Sequence, residues 1–405
     1  MAAPTTAASA TPAIPATPDA TGTTTSPDTG AVTPAQIRRR LEAIAPRLNQ
    51  GHPERDRAGA FPRQAWRDLA STGLFGSCLP AEHGGHGHGV TDLMRSAETL
   101  GRVSRDAGLN FSAATHLAST GFALTRFGGP GLRSRHLPGV ATGAAVGSHA
   151  ITEPDTGSDV LSMSSTGRVD GDAIVLDGHK TYVTNGPVAD LAVVYVRTGD
   201  TPGPLGLTAV LVPRGTPGAE FGPPIEKNTL RTSPFGTLRL TGCRVPRANV
   251  VGGIGTGFLV LDHVMTWEIL VSFVINVGEM RHRLDRVVER VRTRRQFGNP
   301  LSRFQGVQNS VVDMHIAIET ARQALYTAGE AVAAGRRPTA ETAVAKILAS
   351  EANVRTAQAA VELFGGSGVL TETGLEIGVR DALGGPVYSG TNAVQRQKIA
   401  RTLGL

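Results

Sequence analysis

The chain has 405 residues, of which 40% are hydrophobic and 4% aromatic, and its formal net charge is +6 at pH 7. This length allows two or three domains around a large core, whereas the apolar run 269–277 ends at Gly278 and is much shorter than the ~20 residues of a membrane span. The positive charge is scattered and comes almost entirely from arginine. The basic residues are not interleaved with aromatic ones, so we expect no nucleic-acid surface. The positive charge suits acidic partners, such as a phosphorylated cofactor or an acidic carrier protein.

Residues 1–34 differ in composition from the rest of the chain. They are rich in Ala, Thr, Pro, Ser and Gly, with no Lys or Arg. A signal or transit peptide needs basic residues, so we expect a disordered tail. Cys78 and Cys243 are the two cysteines, which favours a reducing cytoplasm without a disulfide framework. The histidines of loop 84–89 lack carboxylates or cysteines at ligand spacing, so we expect exposed loop histidines and no metal site.

The remaining residues divide into three blocks by their hydrophobic pattern. Block 35–145 has apolar residues at helical spacing, in predicted helices 36–48, 62–71, 90–103 and 107–127. Block 146–255 has short alternating or β-branched runs, which predict an antiparallel β-domain with strands at 173–176, 191–196, 207–212 and 238–245. Prolines at 202–204, 213–217 and 223–224 exclude helices there.

Block 256–405 is predicted to be helical again. The face of one long helix is given by Val311, Met314, Ile318, Ala321 and Leu325, which follow the spacing of bundle helices. A second long helix is predicted over 343–364, and the run Gly365-Gly-Ser-Gly368 ends it.

Two glycine-bounded segments of the β-domain carry the clearest functional signal. The first is Ala150-Ile-Thr-Glu-Pro-Asp-Thr-Gly-Ser-Asp159, and the second is Asp177-Gly-His-Lys-Thr-Tyr-Val-Thr-Asn-Gly186. A turn with free backbone N–H groups and small hydroxyls suits a pyrophosphate and the polar rim of a flavin. Together the two segments resemble the flavin-binding middle domain of the acyl-CoA dehydrogenase family.

The resemblance covers residues 35–405 and implies the α+β fold of that family. Its parts are an N-terminal helical domain (35–145), a middle antiparallel β-domain (146–255) and a C-terminal four-helix bundle (256–405). It implies FAD as cofactor. The ring-side residues would be Ile151, Thr152, Tyr182, Val183 and Thr184, with Tyr182 packed on the isoalloxazine and Thr184 at its N5 edge. Gly157 and Ser158 would approach the pyrophosphate.

A further set of residues resembles the segment that a neighbouring subunit lays across the FAD. Arg294 would meet the pyrophosphate, and Phe297 and Gln305 would pack near the adenosine. Turn residues Gly365, Gly366, Gly390 and Thr391 would complete the contacts. This sharing implies an oligomer, as a dimer or a homotetrameric dimer of dimers.

The resemblance implies a catalytic base that is not in its usual place in the family. Most members carry it in a Tyr-Glu-Gly-Thr segment, and the matching residues are Tyr388-Ser-Gly-Thr391. Ser389 cannot act as the base, although its backbone N–H could bind the thioester carbonyl. A minority of members, including the isovaleryl-type enzymes, use a glutamate on an earlier helix, and counting along that helix leads to Glu268. Glu268 is also the one carboxylate in the run 264–274, where burial should raise its pKa, as a general base near neutrality requires.

The resemblance implies an FAD-dependent dehydrogenase of an acyl thioester, closest to the enzymes of secondary metabolism, including antibiotic biosynthesis, that act on acyl groups tethered to a carrier protein. Such groups include prolyl units and polyketide extender units, whose oxidation can be that of an alcohol. Electrons would pass to an electron-transfer flavoprotein or to oxygen. An ordinary acyl-CoA dehydrogenase, a flavin monooxygenase or oxidase on the same fold, and a non-catalytic flavin-binding or carrier-docking protein stay open as alternatives.

Overall fold

A computed structural model describes residues 32–199 and 203–405. The predicted tail lies outside the described residues except for its last three positions, 32–34, and Pro202 lies outside them too. The first helical block comprises α1 (Pro34–Asn49), α2 (His52–Ala58), α3 (Arg63–Ala70), α4 (Val90–Val103), α5 (Ala107–His116), α6 (Ala123–Phe127) and α7 (Pro130–Ala141).

Helix α1 begins where its sequence favours a start. The Thr33 hydroxyl accepts a hydrogen bond from the Gln36 N–H at 3.2 Å, and the Gln36 side chain accepts one from the Thr33 N–H at 2.7 Å. This reciprocal capping box satisfies two backbone donors, and Pro34 fits the first turn. The apolar face of α1 is buried through Ile37, Leu41 and Leu48.

The predicted helix 107–127 is interrupted by a single π-helical turn, Leu117–Phe122, between α5 and α6. All six residues of this turn are buried. A π turn changes the angular position of the side chains that follow it, and such turns are common at functional sites. Here it places the Phe122 ring against Trp267, with 4.1 Å between ring centroids.

The middle block forms one sheet. Its strands are β1 (Gly147–Ala150), β2 (Thr166–Asp170), β3 (Ala173–Thr184), β4 (Leu191–Arg197), β5 (Leu207–Pro213), β6 (Ala219–Phe221), β7 (Phe235–Pro246) and β8 (Val250–Val251). The order across the sheet is β6-β7-β3-β1-β4-β5-β8, and β2 pairs with both β3 and β4.

The prediction of a purely antiparallel sheet was wrong in one respect. Strand β4 runs parallel to β1 and, through Arg197, to the first residue of β2, Thr166, while the other pairings are antiparallel. The parallel pairs arise because the chain leaves the sheet after β1 and again after β3. Alternation along single strands cannot reveal such pairing.

The last block contains α8 (Gly257–Thr293), α9 (Gln305–Ala333), α10 (Thr339–Phe364), α11 (Leu375–Ala382) and α12 (Asn392–Thr402), with a small hairpin of β9 (Arg295–Gln296) and β10 (Asn299–Pro300). Helices α8, α9 and α10 pack on one another, and the shorter α12 packs on α10. Four of the five predicted face residues of α9, Met314, Ile318, Ala321 and Leu325, are buried. The bundle is thus three long helices completed by a short fourth one.

Helix α8 continues through Gly278, where the apolar run 269–277 of the sequence ends. A Cβ at Gly278 would lie 2.1 Å from the Glu98 carbonyl oxygen, and one at Gly101 would lie 1.9 Å from that of Ile275. Glycine is therefore needed at both positions because α4 and α8 are in backbone contact there. Helix α8 is long and apolar enough to cross a membrane by length and composition, yet 67% of its most apolar window is buried, as in a core helix.

Candidate active site

Glu268 lies inside the protein, on the buried part of α8. It is 5% exposed, and its Oε1 accepts a hydrogen bond of 2.5 Å from the Ser389 hydroxyl. Burial raises the pKa of Glu268 to about 7, against the lowering effect of the Ser389 hydrogen bond. A carboxyl with this pKa is ionised in a substantial fraction of molecules near neutral pH, and it gains basicity from its apolar surroundings.

Ser389 stands at a strained turn just before α12. Its φ is 55°, and that of Gly390 is 77°, so both lie in the left-handed region. The Gln395 amide donates to the Ser389 carbonyl at 3.1 Å and fixes the turn. The sequence analysis assigned a role only to the Ser389 backbone N–H. The structure adds the hydroxyl, which holds one oxygen of Glu268 and leaves the other free.

Two residues near Glu268 were missed by the sequence analysis. His149 Nδ1 lies 3.9 Å from Glu268 Oε2, and His149 Nε2 is hydrogen-bonded to the Tyr195 hydroxyl at 3.2 Å. Burial lowers the pKa of His149 to about 3, so the imidazole is neutral and forms no ion pair with the carboxylate. The signal that could have found it is a histidine in strand β1, two residues before Ile151.

A buried ion pair joins the two glycine-bounded segments. Lys180 Nζ lies 2.8 Å from Glu153 Oε1 and donates to the Ile151 carbonyl at 3.1 Å. Glu153 also accepts from the N–H groups of Ser164 and Ser165 at 2.6 and 2.9 Å. Burial opposes ionisation of Glu153, but the Lys180 and serine hydrogen bonds prevail and lower its pKa to about 2. The loop after β1 is thereby fixed to strand β3.

The ring-side residues surround an exposed aromatic face. Tyr182 is 59% exposed, has a φ of 53° and lies in a β-bulge between Lys180 and Val183. The bulge turns Tyr182 out of the sheet, while Thr152 and Thr184 beside it are half-buried. Val183 is fully buried in the sheet core, so only its backbone could contact a cofactor.

The loop after Thr152 offers the features that a pyrophosphate needs. Gly157 and Ser158 are exposed, and a Cβ at Gly157 would meet nothing closer than the Thr152 methyl group at 4.0 Å. The hydroxyl of Thr156 is buried without a hydrogen-bond partner. An exposed flat ring, an open glycine turn and an unpaired hydroxyl on one rigid platform fit the ring and pyrophosphate of a flavin cofactor.

The other predicted cofactor residues lie far from Glu268 along α8. Arg294 directly follows the last residue of α8, 26 residues after Glu268, which at ~1.5 Å per residue is about 39 Å along the helix. Phe297 is 91% exposed at a φ of 48°, and Gln305, Gly365 and Gly366 are exposed. Arg290 donates to the Ser367 hydroxyl at 3.0 Å, which places the glycine turn at this same end of α8.

The last two predicted residues lie at the other end, beside the base. Gly390 and Thr391 directly follow Ser389, and the Thr391 hydroxyl caps α12 by accepting from the Val394 N–H at 3.2 Å. The structure therefore brings together Glu268, Ser389, Gly390 and Thr391 with the segment that begins at β1. It keeps them apart from the Arg294 group. Within 32–199 and 203–405, no group of three or more His, Cys, Asp or Glu is placed to hold a metal ion.

Three family models match nearly the whole described chain. The N-terminal, middle and C-terminal domains of acyl-CoA dehydrogenase match residues 35–144, 148–243 and 255–404. The chain is 33% identical to L-prolyl-[peptidyl-carrier protein] dehydrogenase of Serratia sp., over 84% of this chain and 89% of that protein. It is 34% identical to isovaleryl-CoA dehydrogenase of Solanum tuberosum, over 89% and 87%.

Solved structures agree with these matches. The prolyl acyl carrier protein oxidase AnaB superposes with a TM-score of 0.89 at 34% identity, over 92% of this chain and 99% of that one. The FAD complex of PigA superposes with a TM-score of 0.88 at 32% identity, over 92% and 97%.

Proposed function

Because the chain belongs to the acyl-CoA dehydrogenase family, we propose that it oxidises an acyl group held as a thioester on a carrier protein, with Glu268 as the base. It is an FAD-dependent oxidoreductase. The observation that carries the assignment of the base is the position of Glu268, a buried carboxyl with a pKa near 7 that lies 3.9 Å from His149 of strand β1, next to the segment that would hold the flavin ring.

The residues of the site have distinct tasks in this reaction. The free oxygen of Glu268 takes the proton from the α-carbon, while the Ser389 hydroxyl holds the other oxygen in place. The Ser389 N–H binds the thioester carbonyl and stabilises the enolate that develops there. When bound, FAD supplies the acceptor for the hydride that leaves the β-carbon. The apolar surroundings of Glu268 exclude water, which keeps the carboxylate basic.

A carrier-bound substrate is favoured over a free CoA thioester by the relatives and by charge. Two similar proteins are named for prolyl groups on carrier proteins, and the excess of arginine suits an acidic carrier. The flavin monooxygenase alternative has no such support. Cytoplasmic location stays a prediction from the sequence.

Two copies of the chain are needed to complete one FAD site in this proposal. An extended FAD molecule is shorter than the ~39 Å of helix between Glu268 and Arg294. One chain therefore cannot present both residues to the same molecule. The exposed Phe297 and glycine turn are suited to meet a cofactor bound by a second copy, as a dimer or a dimer of dimers provides.

The test is anaerobic reduction of the purified holoenzyme by substrate, which is monitored through the loss of the flavin absorbance band. We expect bleaching with an acyl-carrier thioester and slower bleaching with the matching CoA thioester. Glu268→Gln should keep FAD bound and slow bleaching by at least ~10²-fold. Glu279→Gln is the matched control, because Glu279 is a second buried carboxyl of α8 with a raised pKa, held by Asn110 and Asn276.

Bleaching of Glu268→Gln at the wild-type rate would contradict the proposal, and a faster reaction with CoA thioesters would favour the ordinary acyl-CoA dehydrogenase. Oxygen uptake during turnover, compared with reduction of an added electron-transfer flavoprotein, distinguishes the two candidate electron acceptors.

A further inference from the structure

Two polar side chains at the active site have no task in the reaction described above. His149 is buried with Nδ1 3.9 Å from the free oxygen of Glu268. Ser272 is 2% exposed, and its hydroxyl has no hydrogen-bond partner within the described residues. Ser272 follows Glu268 by four residues, so both side chains lie on one face of α8.

The Ser272 hydroxyl lies in apolar surroundings. Glu268 and Ser272 are separated by Ile269, Leu270 and Val271, which are fully or almost fully buried. A buried hydroxyl without a partner is unfavourable, and most buried polar groups in folded proteins are satisfied. A ligand that supplies the missing partner of the Ser272 hydroxyl would remove this cost.

His149 presents a second polar atom beside Glu268. Its Nε2 is engaged by the buried Tyr195 hydroxyl at 3.2 Å, which fixes the ring and leaves Nδ1 toward Glu268. A separation of 3.9 Å is too long for a hydrogen bond between Nδ1 and the carboxylate. Both atoms are thus free to contact a group that lies beside the 3.9 Å gap, and the neutral imidazole can donate or accept one hydrogen bond there.

We propose that His149 and Ser272 select acyl groups that carry a hydrogen-bonding nitrogen or oxygen next to the carbons being oxidised. This inference rests on the proposed function and narrows it to aminoacyl or hydroxyacyl thioesters, as opposed to plain alkyl ones. The prolyl group named for the Serratia relative is one member of this class. Tyr195 acts as a positioning residue, since it reaches the substrate only through His149.

The test compares three thioesters of the same carrier: prolyl, 3-hydroxybutyryl and butyryl. We expect wild-type kcat/KM to be at least tenfold higher for one or both polar groups than for butyryl. His149→Leu and Ser272→Ala should each lower kcat/KM about 10- to 100-fold for the preferred polar substrate. The ratio of polar to butyryl kcat/KM should therefore fall at least tenfold in each variant, whatever change a substitution beside Glu268 makes to the butyryl rate itself.

Two further variants separate recognition from a merely structural role. His149→Asn places an amide near the position of Nδ1 and should recover part of the polar preference, which loss of packing would not. Tyr195→Phe should lower the preference less than His149→Leu. Flavin content and Tm are measured for each variant to confirm folding.

The inference would be overturned by a wild-type enzyme without preference for polar groups, or by variants that lose both substrate types equally. Neither result affects the proposed function. That function fails instead if no acyl thioester bleaches the flavin of the wild-type enzyme, or if the flavin of Glu268→Gln is bleached at the wild-type rate. Preference for prolyl or for the hydroxyacyl group tells which of the two atoms is recognised, and either supports the inference.

Discussion

Two regions of helix α8 are built in opposite ways. In the first half of the helix Glu268 is buried, hydrogen-bonded to Ser389 and close to His149. At the other end Arg294 and Phe297 are exposed on a short hairpin. The first, which we call the base centre, is complete within one chain. The second, which we call the hairpin region, exposes the Arg294 charge and the Phe297 ring to solvent, where a second copy of the chain could contact them.

This difference teaches how the same helix can serve two sites. Chemistry at the base centre depends on low exposure, because burial raises the pKa of Glu268. In the proposed dimer, cofactor binding at the hairpin region would depend on exposure, because a second copy would have to reach it. A change at the base centre should therefore alter rates and pH dependence, whereas a change in the hairpin region should alter cofactor retention and depend on the oligomer.

Breaking the buried ion pair that supports the base centre should have the largest effect. Lys180→Met leaves Glu153 charged in the interior without its cationic partner, although Ser164 and Ser165 still donate to it, and loss of one partner of a buried ion pair costs about 3–5 kcal/mol of folding free energy. We expect a strongly lowered Tm and loss of FAD. The double variant Lys180→Met with Glu153→Leu should recover much of the stability, because no lone charge remains. An unchanged Tm for the single variant would show that the pair does not hold the platform.

Mixing two inactive chains tests whether the hairpin region serves a second copy. Chains with Glu268→Gln and chains with Arg294→Ala plus Phe297→Ala should each be nearly inactive. Refolded together in equal amounts, they should recover about one quarter of wild-type activity, since half of the dimers are hybrids and each hybrid has one intact site. Absence of recovery, with hybrid oligomers shown by mass spectrometry, would place Arg294 and Glu268 in the same site or in none.

Removing the hydroxyl that holds the base should have a moderate effect. The Ser389 hydrogen bond lowers the pKa of Glu268, so Ser389→Ala should raise that pKa further. The rate of flavin reduction should fall several-fold near pH 6.5, with most of it regained at pH 9. A loss of equal size at every pH would point to misplacement of the substrate alone.

The smallest effect is a pH-dependent gain in stability from Glu268→Gln. The pKa of Glu268 is raised from 4.5 when unfolded to about 7 when folded. Stability is therefore lost as the pH rises from about 4.5 to about 7 and stays lower above it. A neutral glutamine does not ionise, so Glu268→Gln should raise the free energy of unfolding by on the order of 1–3 kcal/mol at pH 8 and by little at pH 4.5. Thermal unfolding at the two pH values measures the difference, and an equal gain at both would contradict the raised pKa.

The sequence was informative where a residue type stood alone in its surroundings. Glu268 could be found because one carboxylate interrupts an apolar helix, and the order of helical and β blocks followed from periodicity. Tyr182 could be expected to be exposed only through the family resemblance. Its turn outward comes from a β-bulge that alternation does not reveal.

Contacts that depend on strand register could not be predicted. His149 meets Tyr195 because β1 pairs with β4 in parallel, with His149 opposite Val193 and Tyr195 two residues further on the same face. The π turn Leu117–Phe122 and the Ser389 hydroxyl contact are likewise set by packing between distant segments. The hydrophobic pattern of any one segment contains no record of them.

The most direct test of the account is the pH dependence of the first anaerobic turnover, measured as the rate of flavin reduction by a saturating acyl-carrier thioester between pH 5 and pH 9. The rate should rise through a single ionisation near pH 7, and Glu268→Gln should lack this rise. A wild-type rate that is flat across this range, or a Glu268→Gln profile with the same rise, would contradict the assignment of Glu268 as the base.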